Sequence, residues 1–241
     1  MSSDFHALLD VIQSEHFPAA DLALRQGRHI GRDDGPVYDY LDDALPWLEP
    51  FYRRFGAEIV HRIDGYFFLL PTGNRLRRKQ LDAAQMTVGQ TLALLNLDPG
   101  TLRLGGRVHQ EALLEQLSGL MSTKALYLRF YPHTKKYNER LAAVRVREKL
   151  ATAVHQLARL GFLEEGEAGM LHLRPAVMRF AEPVRDLGDP QGALERLIAQ
   201  GAVVQGAALI DDAGADELTD PEDDDLNEDH DTNLDDDREA R

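Results

Sequence analysis

The chain has 241 residues, 43% of them hydrophobic, no cysteine and a formal net charge of −14. The lack of cysteine excludes disulfides, thiolate metal sites and a cysteine nucleophile, and fits a reducing compartment. No apolar run approaches the roughly 20 residues of a membrane span, and residues 1–10 carry no basic-then-apolar leader, so the expectation is a cytoplasmic protein with no membrane contact. The charge is unevenly placed. Residues 211–241 hold 16 acids against Arg238 and Arg241, whereas the first 210 residues hold 25 acids and 25 bases. The body is neutral and the tail carries the excess.

Phe5, Leu8, Leu9 and Ile12 recur at helical spacing. A second short helix is expected over 18–26, with Pro18 near its start and Gly27 at its end. Tyr38, Leu41, Leu45, Leu48, Phe51, Tyr52 and Phe55 mark a third, which Pro46 and Pro50 should bend or divide. The period then changes to that of β-structure: 57–63 and 66–70 are rich in Ile, Val, Tyr and Phe, with the strong hairpin signal Asp64-Gly65 between them. Three helices followed by a hairpin is the winged-helix order, and 1–72 is assigned to such a domain. Residues 73–82 read as a basic linker containing Arg75, Arg77, Arg78 and Lys79.

The order then repeats over 83–185. Met86, Gly89, Leu92, Ala93 and Leu95 lie on a helix stopped by Asp98-Pro99-Gly100. Val108 is a candidate strand residue, 110–121 a second helix with Leu113, Leu114, Leu117 and Leu120 inward, and 143–160 a third ended by Gly161. Residues 162–164 and 170–173 pair around a turn at 165–169. The basic insert at 122–143 is long for a plain loop, which points to function or disorder. A C-terminal helix falls within 186–205, after Asp189-Pro190. From 206 to 241 the chain is too polar to offset its ordering entropy, so a disordered acidic tail is expected. The fold class is thus mainly α with small β-hairpin wings, in tandem winged-helix domains.

No catalytic constellation emerges. There is no G-x-x-x-x-G-K and no G-x-G-x-x-G; Gly27-Arg28-His29-Ile30-Gly31 matches neither. The nine histidines show no H-x-x-x-H pair and read singly as structural or solvated groups. Asp223, Asp225 and Asn227 suggest a calcium loop, but Glu228 and Leu234 stand where its glycine and bidentate glutamate belong. The chain is read as a non-enzyme without cofactor or metal.

A nucleic-acid pattern is better supported. At 100° per residue, Arg145, Lys149, Thr152, Gln156 and Arg159 share one stripe of the 143–160 helix, away from Leu150, Val154 and Leu157. Arginine and lysine neutralise phosphates, while Thr and Gln can bond phosphate or base edges. In a winged-helix domain this helix usually enters the groove. Residues 124–149 carry eight bases, Lys135, Lys136, Arg140 and Arg147 among them, against Glu139 and Glu148. Tyr127, Phe130, Tyr131 and Tyr137 are interleaved. The plainer reading is a solvated helix face beside a polar loop. The tail likewise reads either as a solubilising appendage or as a polyanion competing with DNA for this surface.

A series of short segments carries a family resemblance: Phe17-Pro18-Ala19-Ala20-Asp21, Leu24 through Gly31, Phe51-Tyr52-Arg53-Arg54-Phe55, Gly65-Tyr66-Phe67-Phe68-Leu69, Val88-Gly89-Gln90, Leu157-Ala158-Arg159-Leu160-Gly161, Arg179-Phe180 and Arg196-Leu197-Ile198. Together they resemble the MukE family over 17–202. That resemblance implies a kite subunit, a tandem winged-helix protein that forms a homodimer, binds the kleisin MukF and through it the SMC-like ATPase MukB. It also implies double-stranded DNA as a ligand, a nucleoid-associated location, and a role in chromosome condensation and segregation. The family's DNA-facing surface would fall on Arg145–Arg147 and Lys149; Ala151 and Gln156 stand where further bases are expected. The alternative is a stand-alone winged-helix transcription regulator.

Overall fold

The computed structural model describes residues 5–134, 137–185 and 187–200. The acidic tail, with its expected disorder, lies outside them, as do Lys135 and Lys136. The first half begins with α1 (Leu8–Gln13) and α2 (Phe17–Arg25), followed by the short strand β1 (Ile30–Gly31) and a 3-10 turn at Arg32–Asp34. The helix α3 (Pro36–Arg53) then leads into the hairpin of β2 (Ala57–Arg62) and β3 (Tyr66–Pro71). α3 runs undivided through both prolines. Pro46 and Pro50, four residues apart, lie on its exposed side, where carbonyls that lose a partner can bond water. Tyr38, Leu41, Ala44, Leu48 and Tyr52 form the buried face. Gly65, at φ +82°, supplies the left-handed residue of the hairpin turn.

The second half contains α4 (Ala83–Leu97), α5 (Pro99–Arg103), β4 (Arg107–His109), α6 (Gln110–Leu120), α7 (Thr123–Phe130), α8 (Glu139–Arg159), β5 (Leu163–Glu165), β6 (Met170–Leu173), a 3-10 segment (Pro175–Val184) and α9 (Pro190–Gln200). α4 is its axis. Asp82 caps the helix through Gln85 N, and Gln85 returns a bond to Asp82 N. Residues 84–94 are buried on all sides, packed by α8, α9 and the Pro175–Val184 segment. Phe180 sits where a Cβ on Gly89 would be, 2.4 Å from its ring atoms.

Much of the insert is helical, in α7 and the first turn of α8. Ser122 caps α7 by accepting from Ala125 N, and Leu126, Tyr127 and Phe130 enter the core at 1%, 3% and 4% exposure. α8 also begins earlier than expected, at Glu139, where the Asn138 side chain accepts from Arg140 N.

The two small sheets share one topology. Both are antiparallel and three-stranded, in orders β1-β3-β2 and β4-β6-β5. In each, a short strand preceding the sheet's long helix joins the hairpin that follows it, pairing Ile30 with Phe67 and Val108 with Leu171. The alternation of side chains along a strand gives β3 a particular role. Phe67 and Leu69 belong to the first core, with Leu41, Leu48 and Ile59. Tyr66 and Phe68 belong to the second, with Met86, Leu157 and Phe162. One strand thus serves two cores, and all described residues fall in one compact unit.

A polar joint reinforces this sharing. His29 is buried, its ring centroid 4.3 Å from that of Phe162. Its backbone N–H donates to Leu160 O at 2.8 Å, and its Nδ1 lies 2.9 Å from the same oxygen. Arg179 Nη1 is 2.6 Å from Nε2. A guanidinium can only donate, so Nε2 accepts and Nδ1 carries the proton. Burial, aided by the nearby Arg179 charge, lowers the His29 pKa from 6.5 to about 3, against the raising effect of the Leu160 bond. The imidazole is therefore neutral. Gly161 does more than end α8: at φ +78°, a Cβ there would lie 2.2 Å from His29 O. Nearby, Arg174 (6% exposed) joins Asp34 at 2.9 Å to Glu164. Arg62 pairs with Glu182, and Arg185 with Asp64 at 3.2 Å.

Candidate nucleic-acid interface

α8 buries Ala142, Val146, Leu150, Ala153, Val154 and Leu157, a single face at steps of three and four. The basic stripe lies roughly a quarter turn from the centre of the opposite face by the helix period. It is a shoulder against α4. Lys149 Nζ is 3.3 Å from Asp82 Oδ2. Gln156 Oε1 accepts from Gln85 Nε2, and Arg145 is half-buried, its carbonyl accepting from Tyr131 OH at 3.3 Å. Lys149 and Gln156 therefore face a neighbouring helix as much as solvent. Thr152 is exposed, and its hydroxyl donates back to Glu148 O at 3.0 Å. Arg159 is exposed.

The outermost line of α8 holds Val144, Glu148, Ala151 and His155, all exposed. His155 Nδ1 lies 2.8 Å from Glu165 Oε1 on β5. Beyond this line, on the other shoulder, are the exposed Arg140 and Arg147. Arg147 lines a surface depression with His109, Glu111, Leu114 and Gly169, between the start of α6 and the β5–β6 turn. His109 fastens that turn: its Nε2 is 2.7 Å from Ala168 O, and its Nδ1 accepts from Glu111 N at 3.3 Å. Ala168 itself has φ +52°. The surface thus presents cations on two shoulders, with a ridge between them that carries Glu148 and, bonded to His155, Glu165.

The insert contributes less than its composition suggests. Tyr127 and Phe130 are core residues and cannot stack on bases. Arg129 points inward, with Nε bonded to Thr87 Oγ1 and Nη1 3.5 Å from Ile198 O; burial lowers its pKa. Lys124 Nζ lies over the Tyr137 ring, 5.6 Å from its centroid. Residues that sequence reasoning missed are those of the joint, above all Arg174 and Arg179. Their signal was present only as Gly27-Arg28-His29-Ile30-Gly31 and Arg179-Phe180, which carry no chemical motif. Among the described residues no cluster of three or more His, Cys, Asp or Glu is arranged to hold a metal, and no helix is long and apolar enough to cross a membrane.

Residues 15–185 match the family model described as condensin complex protein MksE. The chain belongs to the MksE/MukE family. It is 32% identical over 218 residues to the chromosome partition protein MukE of Photorhabdus laumondii, covering 88% of this chain and 94% of that protein. It is 34% identical over 199 residues to MukE of Vibrio cholerae, covering 82% and 85%, and 32% identical over 197 residues to MukE of Escherichia coli O157:H7, covering 80% and 87%. The MksE match takes in both sheets, the joint and all of α8, and ends before α9.

Proposed function

We propose that this MksE/MukE-family chain is a non-enzymatic subunit of a bacterial SMC-type condensin, acting in chromosome condensation and partition on the nucleoid. In this reading it forms a homodimer, binds a kleisin of the MukF kind, and through it serves an SMC-like ATPase of the MukB kind. Family membership across residues 15–185 carries the proposal. The tandem winged-helix reading, with domains at 1–72 and 83–185 joined by 73–82, is supported by the shared strand order of the two sheets.

Double-stranded DNA is contacted across α8 and the β5–β6 turn. Arg140, Arg147, Thr152 and Arg159 are exposed there, while Lys149, Arg145 and Gln156 lie on the shoulder nearest α4. Lys135 and Lys136 belong to the same basic run. Phosphate contact needs cations that can reach the backbone. Lys149 would exchange Asp82 for a phosphate, so the exposed arginines carry more of the binding.

Affinity purification of the tagged chain from nuclease-treated native cell extract tests the assignment. The expected result is stoichiometric recovery of a kleisin and an SMC-type ATPase. Recovery of the chain alone, together with selective binding of one operator sequence, would instead establish a stand-alone regulator.

A further inference from the structure

The corner where α3 ends, β2 begins and the linker leaves β3 holds a second cluster of cations, none of them on α8. A depression of about 880 Å³, counted to its open mouth, is lined there by Arg53, Arg54, Gly56, Gly73, Asn74 and Arg75, and among the described residues no carboxylate lines it. All three arginines are exposed. Arg75 is tied to the end of α3, its Nη1 donating to Arg54 O at 2.8 Å. Arg53 and Arg54 hold no ion pair among the described residues, although Glu49 and Glu58 are near in sequence. The floor is bare backbone. Gly56, at φ +69°, lies against Gly73, so that a Cβ on Gly56 would be 3.7 Å from Gly73 Cα. Gly73 N–H donates to Gly56 O at 3.1 Å.

A helix C-terminus ordinarily opposes an anion through its free carbonyls. At the end of α3 those carbonyls are covered. Phe51 O accepts from Arg54 N at 3.3 Å, Tyr52 O from Phe55 N at 2.9 Å, Arg53 O from Gly56 N at 3.1 Å, and Arg54 O from the Arg75 guanidinium. The depression therefore offers guanidinium donors rather than bare acceptors, and arginine grips phosphate through paired, charge-assisted bonds. The neighbouring aromatic ring is committed elsewhere. Phe55 lies under the Arg25 guanidinium, 4.7 Å from its centroid, and meets Phe51 edge-on at 5.2 Å. Arg25 is in turn held by Asp21 at 2.8 Å. An unpaired base, which single-strand binders stack on an open ring, finds no such ring in the lining. We propose that Arg53, Arg54 and Arg75 form a second DNA-backbone site, taking phosphates of a duplex irrespective of its sequence. The inference rests on the reading of the chain as a DNA-contacting condensin subunit, and adds to it a contact on the first half.

The test is duplex binding by the reconstituted assembly, with the full chain carrying Arg53→Gln and Arg54→Gln together. Arg75 stays in place because it caps α3. Affinity is followed from about 50 to 200 mM salt, the range over which phosphate contacts are lost most visibly. Two lost contacts should make the slope of log affinity against log salt shallower by about 2. The change should be equal on two duplexes of unrelated sequence, with the melting temperature of the chain unchanged. An unaltered slope would overturn the proposal. So would a loss confined to one sequence, which would mean base readout, or a fall in melting temperature that accounts for the loss. Replacing part of the chloride with inorganic phosphate at equal ionic strength separates the two sources of the anion. If phosphate abolishes the difference between the unsubstituted and substituted chains, the site takes free phosphate and the proposal fails. The assembly with Arg147→Gln and Arg159→Gln is measured in parallel. If its slope falls while that of the Arg53→Gln, Arg54→Gln assembly does not, DNA contact across α8 stands and this site is refuted. If neither slope falls, the DNA reading is refuted along with it.

Discussion

The joint between the halves and the outer surface of α8 use the same residue types for opposite ends. At the joint Arg174 is buried between Asp34 and Glu164, and Arg179 is held by His29 over Phe68. On α8, Arg140, Arg147 and Arg159 stand in solvent. Arg174 is fixed by carboxylates from both halves and Arg179 by His29 and Phe68 of the first, so removing either takes away contacts that join the halves. An exposed guanidinium on α8 has high-dielectric surroundings, so removing it should cost the fold little and, on the proposed function, cost DNA binding more. Composition alone does not separate the two groups; partner and burial do.

Substitutions at the joint should break the fold, and their effects rank by how little room the site leaves. Gly161→Ala is the most severe. Its Cβ would meet His29 O, and its backbone is left-handed, so a loss on the order of 3 kcal/mol or more is expected, read as a lowered denaturant midpoint. Arg174→Met comes next. Asp34 keeps Arg28 at 2.7 Å and Gly31 N at 2.9 Å, and Glu164 is half exposed. The cost should therefore be about 2 kcal/mol, below the 3–5 kcal/mol typical of a fully buried broken pair. A cost under about 0.5 kcal/mol in thermal unfolding would show that the bridge is incidental.

The joint should also respond to pH. His29 is held neutral in the folded chain, with a pKa of about 3 against 6.5 when unfolded. Between those values the unfolded chain binds the extra proton. Stability is thus complete above about pH 6.5 and falls as pH drops toward 3, by about 1.4 kcal/mol per unit from this group. In urea titrations from pH 7 to 5, His29→Gln should flatten that slope, whatever its effect on the midpoint at pH 7. Parallel slopes would place the proton elsewhere.

Much of this architecture was legible in the sequence. The Asp64-Gly65 turn located the first hairpin, Gly161 the end of α8, and the spacing of Leu113 and Leu117 the buried side of α6. What escaped has physical reasons. β1 is two residues long, too short to show a period. The signal for α7, Leu126-Tyr127 and Phe130, is masked by surrounding lysines and arginines, so the stretch reads only as a basic insert. A helical wheel places Lys149 and Gln156 correctly on α8 but cannot supply Asp82 and Gln85, which come from a helix end some 70 residues earlier. In β3 the alternation is plain, yet both of its faces are apolar, so nothing local says that Phe67 and Phe68 enter different cores.

The division between structural arginines and those proposed to face DNA meets its most direct test in DNA binding by the condensin assembly reconstituted with Arg147→Gln and Arg159→Gln. Each phosphate contact contributes about 0.9 to the slope of log affinity against log salt. The account predicts a slope shallower by about 2, with the melting temperature of the chain unchanged. An unaltered slope, or a loss of binding matched by unfolding, would contradict it.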